Sequence, residues 1–274
     1  VSVWVSLAKL TEKMTGLTIN QAVVGQNTND NDTVLEVKNM SRAGEYKDIC
    51  FSICRGEVVG IVGLLGAGRT ELALSLFGMT RPELGQIYID GKAVEFRSNR
   101  DAIASGIAYV SEDRLSLGLI QDQSIENNLA LTVLGKTLVF GGLLSFKKRK
   151  EIVDHWIDEL GVKLGDTSDA ISTLSGGNQQ KIAIAKWLAT NPKLLILDSP
   201  TVGVDVGARQ GIFKIVRDLA NEGLSILLIS DEVPEVYFNC NRVLHMSGGT
   251  MLRQYIPARC EISEMEGAVY GNDL

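Results

Sequence analysis

The chain is poor in the residues that build soft-metal sites. Its four cysteines, Cys50, Cys54, Cys240 and Cys260, form no C-x-x-C pair, and only two histidines, His155 and His245, occur in 274 residues. That scarcity argues against a zinc site and fits reduced thiols in a cytosolic setting. Cys50 and Cys54 fall in an apolar run, residues 48–54, where the expected role is that of buried small hydrophobes. His245 falls in a strand pattern and is expected to be structural. No uninterrupted apolar stretch reaches the ~18 residues that cross a bilayer. Residues 1–7 lack the cationic flank and cleavage site of a secretory signal, so any membrane role is expected to run through a partner. A cationic face is missing as well. The net charge is −6, and the one dense basic run, Lys147-Lys148-Arg149-Lys150, reads as a solvated helix start. Binding to a phosphate backbone needs concentrated positive charge, so no nucleic-acid partner is expected.

What the chain does have is glycine in two informative places. Gly63-Leu64-Leu65-Gly66-Ala67-Gly68-Arg69-Thr70 follows an apolar run at residues 58–62 and precedes a short helical pattern that Gly78 stops. Strand, glycine loop and helix is the context of a P-loop, and the spacing matches G-x-x-x-x-G-K-[ST] except that Arg69 stands for lysine. Glycines let the backbone wrap phosphates, and the Thr70 hydroxyl is suited to Mg²⁺. The second place is Leu174-Ser175-Gly176-Gly177-Asn178-Gln179-Gln180-Lys181. A serine and two glycines at a helix start leave backbone N–H groups uncovered, which is a way to grip a phosphate without a charged side chain. Thirteen residues later comes Leu194-Leu195-Ile196-Leu197-Asp198, an apolar strand ending in a carboxylate placed to hold the Mg²⁺ shell.

Together with Pro200-Thr201-Val202-Gly203-Val204-Asp205, these runs resemble the ATP-binding cassette of an ABC transporter. More narrowly, Gly66-Ala67-Gly68-Arg69-Thr70-Glu71, Glu112-Asp113-Arg114 and Gly203-Val204-Asp205-Val206-Gly207-Ala208 resemble the second cassette of the fused, two-cassette ATPases of bacterial sugar importers of the ribose, galactose and xylose type. The resemblance spans roughly residues 34–271. It implies an ATP and Mg²⁺ site built from Gly63, Gly66, Ala67, Gly68, Arg69, Thr70 and Glu71, with Thr70, Asp198 and Glu112 at the metal. It also implies that Ser175, Gly176, Gly177 and Gln179 complete the nucleotide site of a partner cassette. The implied partners are that cassette, an integral membrane permease and, indirectly, a sugar-binding protein, at the cytoplasmic face of the inner membrane.

Alternating strand and helix signals argue for a mainly parallel α/β sheet with helices on both faces. Strands are expected at residues 34–37, 57–62, 86–89, 106–110, 193–198 and 224–230, with helices at 70–77 and 208–220 and a closing hairpin around Gly248-Gly249. The expected organisation is residues 1–33 as the tail of a preceding cassette plus linker (a short helix at 7–15, a polar run at 25–33), 34–114 and 174–252 as the ATP-binding core with an N-terminal antiparallel strand region, 115–173 as a helical subdomain, and 253–274 as a C-terminal tail. In the insert, Ile152, Val153, Trp156, Ile157 and Leu160 recur at helical spacing over residues 149–160, ahead of Gly161, and read as a core stripe.

Three catalytic positions depart from the family pattern. Ser199 stands where active cassettes carry the glutamate that polarises the attacking water, and loss of such a base costs ~10²–10⁴ in rate. Glu112 replaces the usual glutamine, and Asp231 stands where many cassettes have a histidine near the γ-phosphate. Arg69 keeps the charge of lysine on a planar, bulkier head. These departures predict nucleotide binding with slow hydrolysis at the chain's own site, and they keep a non-hydrolysing nucleotide-sensing module open. A soluble ABC ATPase acting on ribosomes or DNA would need a basic face or a long charged insertion, and a P-loop kinase has no use for Ser175-Gly176-Gly177. For the adenine ring, Tyr46 is the nearby aromatic candidate.

Overall fold

The computed structural model describes residues 32–139 and 143–271. The expected helix at 7–15, and the linker up to residue 31, lie outside the described residues. Two sheets organise the rest. Strands β1 (Thr33–Arg42), β2 (Tyr46–Cys54), β4 (Leu84–Ile89) and β5 (Lys92–Val94) form an antiparallel sheet in the order β2-β1-β4-β5. Strands β3 (Val58–Val62), β6 (Ile107–Val110), β9 (Leu194–Asp198), β10 (Ser225–Ser230), β11 (Arg242–Ser247) and β12 (Thr250–Tyr255) form a six-stranded sheet in the order β12-β11-β3-β10-β9-β6. That sheet is parallel except for β12, which closes it as a hairpin partner of β11. The hairpin turns at Gly248 and Gly249, both at positive φ. The expected α/β class with an N-terminal antiparallel region is therefore the observed one.

The parallel strands are apolar through their middles because both faces are covered. Val58, Val62, Leu195, Leu197, Ile226 and Leu228 join one core cluster with helices α5 (Gly176–Leu188), α6 (Val206–Asn221), α7 (Val233–Asn239) and α8 (Ile262–Tyr270). The alternate residues Val59, Ile61, Leu194, Ile196, Leu227 and Ile229 join a second cluster with α1 (Arg69–Leu76) and the antiparallel sheet. A one-residue slip in any strand would exchange the two faces, so the period of two fixes register. The C-terminal stretch is integrated as well, since Tyr255, Met265 and Val269 are buried in the first cluster.

Residues 115–173 carry α3 (Ile125–Ala130), a two-stranded hairpin of β7 (Leu138–Val139) and β8 (Leu143–Leu144), and α4 (Phe146–Glu159). The remaining helix, α2 (Asn99–Ala104), precedes β6 and is closed by a capping box between Ser98 and Asp101. Helix α4 begins earlier than the apolar stripe alone predicts, because Ser145 caps it by accepting from Lys148 N–H. Lys147, Lys148 and Lys150 are exposed in its first turns, as a solvated start requires. Val153 and Leu160 are buried, while Ile152, Trp156 and Ile157 pack partly buried against the first cluster, so the stripe is core.

Two cysteine expectations divide. Cys54 is buried, but Cys50 is exposed, its Sγ placed against Asn39 across the β1–β2 pair. The alternation of β2 puts Cys50 on the outward face, which a run read only as apolar does not reveal.

One buried ion pair ties the two sheets. Glu57 accepts from Cys54 N–H and from Arg242 Nε at 2.6 Å, and Arg242 also donates to the Ser52 carbonyl. Removing one partner of such a pair strands the other charge. Arg242→Met should lower unfolding free energy by about 3–5 kcal/mol in urea titrations, with nucleotide binding retained at concentrations where the variant stays folded.

Candidate functional site

The carboxyl ends of four parallel strands finish almost level. Val62 pairs with Ser230, Asp198 with Ile229 and Val110 with Leu197. The loops leaving β3, β9, β10 and β6 therefore emerge along one edge, the place where open α/β sheets bind ligands. Those loops carry residues 63–68, Ser199, Asp231 and Glu112.

After β3 the chain wraps outward. Leu64 and Leu65 are exposed, and Ala67 N–H bonds back to the Leu64 carbonyl at 3.0 Å. Gly63 has no room for a side chain, since a Cβ there would lie 2.2 Å from the Met246 carbonyl oxygen. Gly68 sits at φ +97° against the Glu45 carbonyl, with 2.5 Å available to a Cβ, and serves as the N-cap of α1 without any side-chain cap. The first amides of α1 are therefore left for a ligand. The β11–β12 turn buttresses the loop through Gly249 N–H to the Ala67 carbonyl.

Arg69 and Asp198 complete this edge from inside. Arg69 is buried and its Nη1 has no hydrogen-bond partner; Asp198 is fully buried, and its Oδ1 has none either. Its Oδ2 accepts from the Tyr109 hydroxyl at 2.9 Å. Burial pushes the Asp198 carboxyl above the usual carboxylate range, the Glu112 charge adds to the rise, and the Tyr109 and Thr70 hydroxyls and the Arg69 charge offset part of it. Burial and the Asp198 carboxylate hold the Tyr109 phenol protonated far above its usual range, so it remains a donor. Thr70, Glu112 and Asp198 line one cavity of about 630 Å³ with Tyr109, Arg114, Lys186 and Trp187 among its other walls. Burial pushes the Lys186 ammonium down to about 8. An orphaned buried guanidinium N–H, an orphaned buried carboxylate oxygen and a glycine cradle too tight for a Cβ fit a triphosphate with its divalent metal. Thr70 and Asp198 would hold the metal, and Arg69 with the α1 amides would hold phosphate oxygens.

The second glycine run starts α5. Ser175 is the N-cap but offers no side-chain cap; its Oγ accepts instead from Asn178 Nδ2 at 3.1 Å. The amides of residues 176–178 are thus uncovered at the positive end of a 13-residue helix. A Cβ on Gly177 would lie 2.5 Å from Ala208 Cβ, so glycine here also lets α5 meet α6. The neighbours of this run are Gly203, Ala208 and Arg114, not the P-loop.

The remaining expected residues are placed in different ways. Gln179 does not face the uncapped amides: it is buried, and its Nε2 donates to the Ile171 and Leu174 carbonyls, holding the approach to α5. Tyr46 is buried among the second core cluster rather than presenting a ring for stacking; the pull of the apolar sheet interface outweighs its position near the loop. Ser199 is buried at φ +45°, Asp231 is exposed just past β10, and Glu71 is half-buried in the first turn of α1. Two contributors escaped sequence reasoning. Tyr109 looked like one more apolar strand residue, and Glu235 carries no motif, yet it is buried and accepts from Thr201 and Ser230 beside Arg209. Alternation in β6, which points Tyr109 the same way as Ile107, was the available signal for the first.

Strand, uncapped glycine loop, buried aspartate and level strand ends define a P-loop nucleoside-triphosphate-binding domain. Residues 46–202 match the family model described as ABC transporter, and the chain belongs to that family. It is 42% identical over 240 residues to a ribose import ATP-binding protein RbsA of Caldanaerobacter subterraneus subsp. tengcongensis, covering 88% of this chain and 48% of that protein. It is also 42% identical over 242 residues to a putative ribose/galactose/methyl galactoside import ATP-binding protein of Rhizobium etli, covering 88% of this chain and 46% of that one. The chain thus spans about half the length of the curated relatives it matches. Among solved structures it resembles cbiO1 of Clostridium perfringens, part of an ABC transporter complex (TM-score 0.71, 25% identity, 87% of this chain and 96% of that one). It also shares its fold with the dimeric cassette MJ0796 bound to ADP and phosphate (TM-score 0.70, 22% identity, 81% and 98%).

Because the folded protein holds the Asp198 proton more tightly than an unfolded chain would, ligand-free stability gains as pH falls from neutral through the raised pKa. Metal binding needs the ionised form and weakens in the same direction. Asp198→Asn should therefore raise the ligand-free melting temperature by about 2–4 °C, equivalent to ~1 kcal/mol, while nucleotide binding loses its Mg²⁺ dependence. Scanning calorimetry and nucleotide titrations with and without Mg²⁺ check both halves.

Proposed function

We propose that this chain is the second cassette of a two-cassette ATPase that energises import of a sugar or related carbohydrate. It binds ATP with Mg²⁺ at residues 63–70 and Asp198, and lends Ser175 and the uncapped amides that begin at Gly176 and Gly177 to a triphosphate lodged in a partner cassette. The cassette would sit as a peripheral subunit at the cytoplasmic face of the inner membrane, against an integral permease served by an external sugar-binding protein. The relatives named for ribose and galactose import support the carbohydrate class. Bound Mg²⁺ would neutralise phosphate charge; the chain's own residues orient and hold the phosphates.

The observation that carries the asymmetric reading is the contrast between Ser199 and the α5 start. At the position following Asp198 there is only a hydroxyl, buried and held by its own N–H to the Ile229 carbonyl. Two carboxylates of the neighbouring segment are placed otherwise: Glu235 is engaged by Thr201, Ser230 and Arg209, and Asp231 is exposed. The α5 amides, by contrast, are fully prepared for an anion. The same Ser199 favours a second reading, a cassette that binds nucleotide only to sense it.

In the assembled two-cassette ATPase, Ser199→Glu should raise total turnover by restoring a base, within the ~10²–10⁴ range that such a group supplies at its own site. Turnover measured with the partner cassette's own glutamate removed isolates this site. No gain there would defeat the idea that the missing carboxylate limits it.

A further inference from the structure

Arg114 is a buried cation with an unusual set of partners. It is 8% exposed, and no carboxylate pairs with it among the described residues. Its Nη1 donates to the Val202 carbonyl and its Nη2 to the Gly203 carbonyl at 3.0 Å. The guanidinium lies between two glycine backbones. A Cβ on Gly176 would come within 3.1 Å of Nη2, and one on Gly203 within 3.3 Å. Gly203 itself needs its positive φ of +66° to turn its carbonyl toward the cation. Burial lowers the guanidinium pKa, yet arginine stays charged, and the charge is met only by carbonyl dipoles.

Such an arrangement costs more than an apolar plug of the same volume would, unless the planar fork supplies geometry that a plug cannot. What it fixes is the relative position of two segments remote from it in sequence: the 199–205 loop, through two successive carbonyls, and the first glycine of α5, through direct packing. Arg114 also opens the five-residue π turn Arg114–Gly118, whose cap is the Asp113 carboxylate accepting from Ser116 N–H. Its backbone is therefore anchored two residues from Glu112 in the metal-side cavity.

We propose that Arg114 is a positioning residue that locks the 199–205 loop and the uncapped start of α5 into one rigid face, the face this cassette offers to a triphosphate held by its partner. The proposal rests on the paired-cassette reading and adds to it the part that keeps the clasp in shape. Lysine could reach one carbonyl but not both, and glutamine would remove the charge while leaving a single donor group.

The test uses the assembled two-cassette ATPase carrying Arg114→Gln, Arg114→Lys or Ser175→Arg. The expected result for Arg114→Gln is a fall in kcat of at least 10-fold, with KM for ATP and nucleotide affinity at this chain's own P-loop within 2-fold of the parent. Arg114→Lys should fall between the two. Hydrogen exchange should quicken at Gln179, Val202 and Val204, whose amides are bonded to the Ser175, Ser199 and Thr201 carbonyls, and stay unchanged in β3, β9 and β10. If Arg114→Gln is too unstable to purify, the kcat and KM split of Arg114→Lys, together with its exchange map, decides the matter. If Ser175→Arg stops turnover while the Arg114 variants behave as the parent, the positioning role is wrong and the paired-cassette reading stands. If Ser175→Arg also leaves turnover unchanged, both are wrong. Equal losses in kcat and own-site nucleotide affinity, or exchange quickening throughout the sheet, would reduce Arg114 to a general structural residue and overturn the proposal.

Discussion

Asp198 is a carboxylate driven into the interior by the strand that ends in it. Four apolar residues, Leu194 to Leu197, are buried in the middle of a sheet covered on both faces, and continuity of the backbone leaves the next side chain no route to water. The local cost is visible in the raised pKa and the orphaned Oδ1. It is tolerable because Tyr109 donates to the other oxygen and Arg69, itself missing a partner, brings a positive charge close by. Both deficits point toward the same edge. Asp198 would hold a divalent metal, which would supply positive charge to the phosphates, and Arg69 would hold a phosphate oxygen, so both deficits would be met. The strand ends thus leave two buried polar atoms unmet beside one cavity, where a charged ligand would find partners.

The two uncapped helix starts show how the same backbone physics is used in different surroundings. Helix α1 starts from a glycine at positive φ pressed against the Glu45 carbonyl, so its amides are held from behind by the antiparallel sheet and the β11–β12 turn. Helix α5 starts from an exposed serine whose hydroxyl is turned aside toward Asn178, and it is supported by Ala208 and Arg114. The first carries its own cation in Arg69. The second has none on its ligand side, since the Arg114 guanidinium donates instead to the carbonyls of Val202 and Gly203. A site that relies on dipoles alone gains little until another surface excludes water from it, because such interactions strengthen as the local dielectric falls. That is the physical reason to read the α5 start as half of an interface.

Much of this was legible in the sequence, for reasons that differ by element. The 58–62 and 194–197 runs carry no polar side chain because parallel strands are covered on both sides, and glycine spacing marks the loops that wrap or turn tightly. What sequence concealed were side chains whose direction depends on a partner far along the chain. Tyr46 stands near the glycine loop in sequence order, but the sheet interface takes it inside. Gln179 lies in the most telling run of the chain, yet its side chain is buried and donates to the Ile171 and Leu174 carbonyls, serving the 171–174 segment. Cys50 belongs to an apolar run and points outward. Arg114 was visible only as part of a family-like triplet, since nothing local indicates that its fork will find carbonyls 88 and 89 residues away.

Ser199 brings these strands of argument together. Its φ of +45° places a non-glycine residue in the left-handed region at the first position after a buried strand, which costs about 1 kcal/mol or more in backbone strain. The conformation turns the chain so that Thr201 can reach Glu235 and Val202 and Gly203 can present their carbonyls to Arg114. The strain therefore belongs to the loop geometry, not to the identity of the side chain at 199. A cassette could lose its catalytic carboxylate at this point and keep the turn, the Arg114 contacts and the α5 face intact. That separability is what makes the proposed asymmetric pair physically reasonable: own-site hydrolysis would lack one side chain, whereas service to an opposite site would rest on a backbone path that the side chain at 199 does not set.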